Sequence, residues 1–168
     1  RARSHEGKGW EYKMKTAEQI LGEKQKQLIS VDVEVSVFDA LKVMNESRIG
    51  AIIVKQGDTL VGIWTERDLL KNSVLENFDP KTAKLKDHMS TSLKYCGHNE
   101  TLYQLQDKFL GMRLRHLLVQ KNGKFIGILT PGDIMKTLLN EKEQELKKLN
   151  AMIGWEYYEN WRWEKKKC

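Results

Sequence analysis

Gly62-Ile63-Trp64-Thr65-Glu66-Arg67-Asp68 returns later in the chain as Gly127-Ile128-Leu129-Thr130-Pro131-Gly132-Asp133. The two stretches lie 65 residues apart, and residues before them match at the same offset without a gap, as Arg48 does with Arg113. An internal repeat of this length predicts two copies of one supersecondary unit. We expect the copies to pack face to face about a pseudo-twofold axis, which creates two related clefts.

The composition is that of a compact globular chain. A length of 168 residues with 40% hydrophobic residues suits one domain, or two small halves that share a core. No apolar run approaches the roughly 18 residues of a membrane span, and the first residues lack the apolar stretch of a secretion signal. Cys96 and Cys168 form no Cys-x-x-Cys motif, so we expect the reducing cytoplasm rather than a disulfide framework.

The net charge of +6 lies largely at the two ends, in residues 1–15 and Lys165–Lys167. Basic segments attract nucleic acid, and the Trp- and Tyr-rich stretch 155–163 offers rings that stack on bases. Glutamates interrupt these aromatic residues, which favours docking onto protein. Nucleic acid is therefore the weakest of the partner classes that we consider.

Hydrophobic periodicity predicts the same order in both halves, namely strand, helix, strand, strand, helix. In the first half we expect strands at 28–33, 51–54 and 60–64, and helices that begin at 36 and 66, the second ending near 77. In the second half we expect strands at 93–96, 117–120 and 124–129, and helices at 101–110 and 131–139. Short helical turns at 16–21 and 86–89 precede them, and a charged, helix-prone segment covers 141–153.

These elements predict an α/β (α+β) fold with four consecutive segments. Residues 1–15 form an N-terminal extension, 16–78 the first repeat and 79–140 the second repeat. Residues 141–168 form a C-terminal helix followed by an aromatic and basic tail.

The repeated motif has two interpretations. Thr65 and Thr130 fit as helix N-caps, with Asp68 and Asp133 accepting backbone N–H bonds in the first turn. The same groups suit a ligand, because a helix N-terminus binds phosphate and a carboxylate accepts hydrogen bonds from a ribose diol. Planar guanidinium and imidazole groups would then hold the phosphate, and the candidates are Arg67, Arg113, Arg115 and His116.

The repeated unit with its Gly-h-h-Thr-x-x-Asp junction (h, hydrophobic) resembles the cystathionine β-synthase (CBS) domain, present as a tandem pair over about residues 16–140. Thr65–Leu69 and Met112–Val119 are similar to small stand-alone bacterial CBS-pair proteins. The resemblance implies two repeats packed sheet to sheet with helices outside, and a homodimer formed through those helices. It also implies a non-catalytic regulatory module that senses adenine nucleotides of the AMP, ATP or NAD class in the clefts between the repeats.

The same resemblance implies a set of contact positions. Thr65 and Thr130 would contact ribose or phosphate, and Asp68 and Asp133 the ribose hydroxyls. Backbone at further positions would line the adenine: Ile29, Val31, Ala51, Ile53, Lys94 and Cys96. Gly132 stands where the first repeat has Arg67, so we expect the two clefts to hold ligand unequally.

We find no signature of a hydrolase, a Walker-type nucleotide hydrolase or a metal site, and so expect neither catalysis nor a bound metal. The alternative function is a protein-interaction adaptor that works through its aromatic C-terminal tail without an obligatory nucleotide. We expect a homodimer because two apolar helical faces exceed the need of one small core, Val37/Leu41/Met44 and Leu69/Leu70/Val74.

Overall fold

The structure, a computed structural model, describes residues 14–24 and 28–164, with only the backbone described for residues 152–164. Most of the expected N-terminal extension, the basic end Lys165–Lys167, Cys168 and the aromatic side chains of the tail lie outside the described residues. The adaptor surface expected on the aromatic tail therefore also lies outside them.

The two halves contain the same six elements in the same order. The first half comprises α1 (Ala17–Lys24), β1 (Ser30–Asp32), α2 (Val37–Ser47), β2 (Ala51–Gln56), β3 (Thr59–Thr65) and α3 (Glu66–Ser73). The second half comprises α4 (Leu85–His88), β4 (Tyr95–Gly97), α5 (Leu102–Gly111), β5 (Leu117–Lys121), β6 (Lys124–Leu129) and α6 (Pro131–Glu164). The predicted order of strands and helices is confirmed in both halves.

Three predicted boundaries are wrong. The first strand covers only three residues. Helix α3 ends at Ser73 rather than near 77, and Asn77 has a φ of 65°, which a right-handed helix does not contain. The predicted helices 131–139 and 141–153 are one continuous helix of 34 residues, because no glycine or proline lies between Gly132 and Gly154 to interrupt it.

Each half builds one three-stranded sheet, in the orders β1-β2-β3 and β4-β5-β6. The first strand of each sheet runs parallel to the second, and the second pairs antiparallel with the third. The repeat extends to irregular details. The register shifts at Val54/Lys55 and again at Val119/Gln120, and the left-handed Arg48 recurs as the left-handed Arg113.

The sheets face each other, and the helices cover their outer sides. In β2, Ile52 and Val54 point into the core of the first half, while Ile53 points to the opposite face and is still buried. Leu118 is buried in the same way on the inner face of the second sheet. This packing confirms the sheet-to-sheet arrangement, and it places both clefts at the edges of the contact between the sheets.

The short helices that open each half are exchanged between the two cores. Ile20 of α1 packs into the core of the second half, and Leu85 of α4 packs into the core of the first. Backbone bonds hold both helices in place, from Ala17 N–H to the Glu100 carbonyl and from Leu85 N–H to the Val35 carbonyl. As a result, Lys24 at the C-terminal end of α1 reaches the junction between β6 and α6 in the second half.

The exposed helical faces differ from those expected. Val37 and Met44 are buried in the core, and Leu41 packs against it, so this face does not remain free as predicted. Leu70 and Val74 do remain exposed, at 70% and 82%. Within the described residues, the structure contains no helix with the length and apolarity that a membrane crossing requires.

Candidate functional site

Two clefts open between the halves, and each takes residues from both. We call the first cleft the one that contains Thr65 and Asp68, and the second cleft the one that contains Asp133. Their volumes are about 440 Å³ and about 560 Å³, in the range of small-molecule sites. Each cleft combines the strand-to-helix junction of one repeat with the segments that lead into the first two strands of the other repeat.

The two clefts match each other residue by residue at the offset of 65. The first cleft is lined by Ile63, Thr65, Asp68, Leu93, Lys94, Arg113, Leu114, Arg115, His116 and Leu118, together with Gly50, Glu66, Arg67, Lys71, Ser90, Ser92 and Thr130. The second cleft is lined by the counterparts Ile128, Thr130, Asp133, Leu28, Ile29, Arg48, Ile49, Gly50, Ala51 and Ile53, together with Lys24, Ser47 and His116. Because the backbones correspond, any difference in ligand preference must come from the side chains.

The junction of the first cleft is a complete capping box. The Thr65 backbone N–H and hydroxyl both donate to Asp68 Oδ2, at 3.0 Å and 2.7 Å, and the Asp68 N–H points back to Thr65 Oγ1 at 3.4 Å. Asp68 Oδ1 has one contact, with the ammonium of Lys71 at 3.5 Å, and that lysine is 69% exposed. One carboxylate oxygen therefore holds the helix start, and the other is available to a ligand.

The junction of the second cleft has the same box but an additional cation. Thr130 donates to Asp133 Oδ2 from its N–H and its hydroxyl, both at 2.8 Å. Lys24 Nζ also donates to Asp133 Oδ2 at 2.7 Å, and to the Ile128 carbonyl at 3.1 Å. Burial alone would raise the pKa of Asp133, but the hydrogen bonds from Lys24 and Thr130 hold the pKa below its ordinary value.

Positive charge is concentrated in the first cleft. Four of its cationic side chains have no hydrogen bond or ion pair with another residue of the described chain: Arg67, Lys94, Arg113 and Arg115. The corresponding positions of the second cleft hold Gly132, Ile29, Arg48 and Gly50. Unpaired cations around a concave surface give it a positive potential that attracts an anionic ligand.

His116 lies between the clefts and lines both of them. Burial lowers the pKa of its imidazole, and the nearby charge of Lys24 lowers it further, while Glu66 acts in the opposite direction. The neutral imidazole is therefore the favoured form near neutral pH. The neutral ring offers one hydrogen-bond donor and one acceptor, and it takes up a proton more readily when an anion approaches.

The structure brings most of the predicted contact residues to the clefts. Thr65, Arg67, Asp68, Lys94, Arg113 and Arg115 line the first cleft; Ile29, Ala51, Ile53 and Asp133 line the second; Thr130 and His116 line both. Val31 and Cys96 line neither cleft. They lie within β1 and β4, packed in the two cores, and burial raises the pKa of the Cys96 thiol to about 11.

Two of the cations that line the second cleft, Arg48 and Lys24, were not among the predicted site residues. Arg48 lies 65 residues before Arg113, so the offset between the repeats could have identified it. Lys24 belongs to α1, and the local sequence pattern does not show that this helix packs against the other half. The described residues contain no cluster of three or more His, Cys, Asp or Glu side chains that could hold a metal ion.

Comparison with protein families identifies both repeats. The model of the CBS domain matches residues 19–74 and 85–140. The mitochondrial CBS domain-containing protein CBSX3 of Arabidopsis thaliana is 33% identical over 123 residues, which cover 70% of this chain and 60% of that protein. The uncharacterized protein YlbB of Bacillus subtilis is 30% identical over 118 residues, 66% of this chain and 79% of that one.

Solved structures share the fold. A CBS-domain containing protein from Agrobacterium tumefaciens superposes with a TM-score of 0.68 at 31% identity, covering 73% of this chain and 98% of that one. The crystal structure of CBSX2 in complex with AMP superposes with a TM-score of 0.60 at 28% identity, covering 68% of this chain and 90% of that one.

Proposed function

Because this chain belongs to the CBS domain family, with two copies of the domain, we propose that it is a non-catalytic regulatory module that senses adenine nucleotides of the AMP, ATP or NAD class. The observation that carries the proposal is the first cleft, where a half-free carboxylate lies beside a ring of unpaired cations. The AMP complex of CBSX2, a protein of the same fold, supports this class of ligand.

We expect a nucleotide to lie in the first cleft with its ribose at Asp68. Asp68 Oδ1 accepts hydrogen bonds from the ribose hydroxyls, since Oδ2 is already used by Thr65. The phosphate lies toward Arg67, Arg113 and Arg115, whose planar guanidinium groups bind phosphate oxygens in pairs. The adenine lies against apolar side chains that line the same cleft, Ile63, Leu93 and Leu118.

A ligand in this cleft contacts both repeats, which gives it a means of regulation. Thr65 and Asp68 belong to the first half, and Arg113 and Arg115 to the second. Binding therefore stabilises one arrangement of the two halves over others, in proportion to its differential affinity for them. A target that contacts both halves would respond to this change.

The alternative remains a protein-interaction adaptor without an obligatory nucleotide. It is favoured by exposed leucines on the outer part of α6, Leu146 and Leu149, which are 60% and 50% exposed. An adaptor of this kind would bind its partner equally well with both clefts empty. A measurement of nucleotide binding therefore distinguishes the nucleotide-sensing module from the adaptor.

We also propose that two copies of the chain form a homodimer. Exposed apolar residues recur at the same offset on both halves: Phe38 with Tyr103, Leu70 with Met135, and Val74 with Leu139. A surface repeated by a pseudo-twofold axis can meet the same surface of a second copy, as in an isologous interface. Exposed apolar residues that recur in this way favour such a contact.

The nucleotide site is tested by calorimetry on two variants. Asp68→Asn removes a charged acceptor for ribose and should weaken adenosine and AMP alike, by about ten- to a hundredfold. Arg67→Ala removes a phosphate ligand and should weaken AMP by roughly tenfold while leaving adenosine unchanged.

The matched control is Asp39→Asn, because Asp39 accepts from Ser36 in the equivalent first turn of α2, outside both clefts. This control should bind both ligands like the unaltered chain. Equal affinity of AMP for the unaltered chain and the Asp68→Asn variant would contradict the proposed site.

A further inference from the structure

Lys24 gives the second cleft a cation that the first cleft does not have at the same place. Its ammonium lies 2.7 Å from Asp133 Oδ2, and the two side chains are only 17% and 20% exposed. The cation on Asp68 is Lys71, at 3.5 Å and 69% exposed. A shielded ion pair at short distance is held more strongly than an exposed one at long distance.

The repeat shows that this cation is a difference between the halves. The residue 65 positions after Lys24 is Met89, which follows α4 as Lys24 ends α1. Met89 packs its thioether against Gly62 and brings no charge to the first cleft. The backbone at the two junctions is the same, so the carboxylates differ in the groups that already bind them.

The ion-paired carboxylate is a weaker acceptor for a neutral diol. Asp133 Oδ2 accepts three hydrogen bonds, two from Thr130 and one from Lys24. Asp133 Oδ1 has no hydrogen bond with the described residues, but the shielded ammonium on Oδ2 offsets the charge of the whole carboxylate, so the hydrogen bonds that Oδ1 accepts from ribose are weaker. Asp68 has only the exposed and more distant ammonium of Lys71 beside it.

We infer that Lys24 is a specificity-determining residue that neutralises the second carboxylate and weakens it as a ribose acceptor, so that the chain binds one adenosine tightly, in the first cleft. The inference rests on the proposed function, since it assumes that Asp68 receives the ribose. Lys24 ends α1, the helix that packs into the core of the second half. The packing of α1 against that half therefore also sets the number of nucleoside sites.

The test counts adenosine sites per chain by equilibrium dialysis and calorimetry. Adenosine is the probe because it carries no anion that could bind Lys24 itself. The unaltered chain should bind one adenosine. Lys24→Met introduces the residue found 65 positions later in the repeat, Met89. This variant should bind two adenosines, with the new site within about tenfold of the first in affinity, because Lys24 contributes a single charged hydrogen bond to Asp133.

Three further variants assign the new site. Lys42→Met, the matched control, removes the lysine that pairs with Asp39 outside both clefts and should leave one site. Lys24→Arg keeps the cation and should also leave one site. In the Asp68→Asn background the strong site should be lost, and the double variant Lys24→Met/Asp68→Asn should regain one, at Asp133. Circular dichroism checks folding, and Lys24→Gln takes the place of Lys24→Met if that variant does not fold.

Two equivalent adenosine sites in the unaltered chain would overturn the inference, and so would a single site in the folded Lys24→Met or Lys24→Gln variant. Either result leaves the proposed function intact, because the first cleft still binds. Absence of adenosine binding in the unaltered chain and in every variant would instead contradict the proposed function, and the inference with it.

Discussion

His116 shows how a single residue connects the two clefts. Its imidazole lines both, and burial together with Lys24 lowers its pKa, against the opposing charge of Glu66. The charge of Arg115, next to His116, also lowers the pKa of the imidazole, as that of Lys24 does. The folded protein therefore favours the neutral ring, whereas the unfolded chain titrates with the ordinary pKa of about 6.5.

We predict that His116 titrates below its ordinary pKa in an NMR titration of the imidazole signals. The direction of the shift also sets the pH dependence of stability. A folded pKa below the unfolded one means that the unfolded state binds more protons in the interval between them, so stability is complete above about pH 6.5 and declines as pH falls toward the folded pKa.

Lys24→Met should move the His116 pKa upward, because it removes one of the charges that lower it. His116→Asn should flatten the pH dependence of the unfolding free energy in the same interval. A His116 pKa at or above that of an exposed histidine would contradict this account of the site.

At the scale of elements, the repeat predicts the order of strands and helices, both hairpins and the junctions that carry Thr and Asp. The exchange of α1 and α4 could not be predicted, because a short amphipathic helix does not specify which of two similar cores it covers. Lys24 was missed for this reason. Val31 and Cys96 lie outside both clefts because their strands continue from the cleft edge into the core, where β1 pairs with β2 and β4 with β5.

The helices also carry the homodimer prediction. Leu70 on α3 and Val74 just after it, with Met135 and Leu139 at the same offset on α6, are exposed apolar residues that a second copy would cover. We predict a dimer by light scattering at micromolar concentration, and a shift toward monomer in Val74→Glu, because a charge in an apolar interface loses its hydration.

Leu110→Glu provides the control for this shift. Leu110 is 69% exposed, but the residue at the same offset in the first half is Asn45, so it belongs to no repeated apolar pair. This variant should remain a dimer. A monomer for the unaltered chain, or equal effects of both glutamates, would contradict the proposed interface.

At the scale of the whole molecule, two halves with one fold carry different charges. The first cleft gathers cations from both halves, and the second neutralises its carboxylate with Lys24. Because the first cleft spans the contact between the halves, a bound nucleotide stabilises the folded arrangement of both. Binding of an adenine nucleotide there should therefore change the unfolding of the entire chain.

The most direct test is the midpoint of thermal unfolding with and without AMP, ATP and NAD. A ligand that binds only the folded state at about a hundred times its Kd adds about 2.7 kcal/mol, which should raise the midpoint by several degrees. We predict this shift for at least one of the three nucleotides in the unaltered chain, and its loss in the Asp68→Asn variant. An unchanged midpoint with all three at millimolar concentration would contradict the nucleotide-sensing account and favour the adaptor.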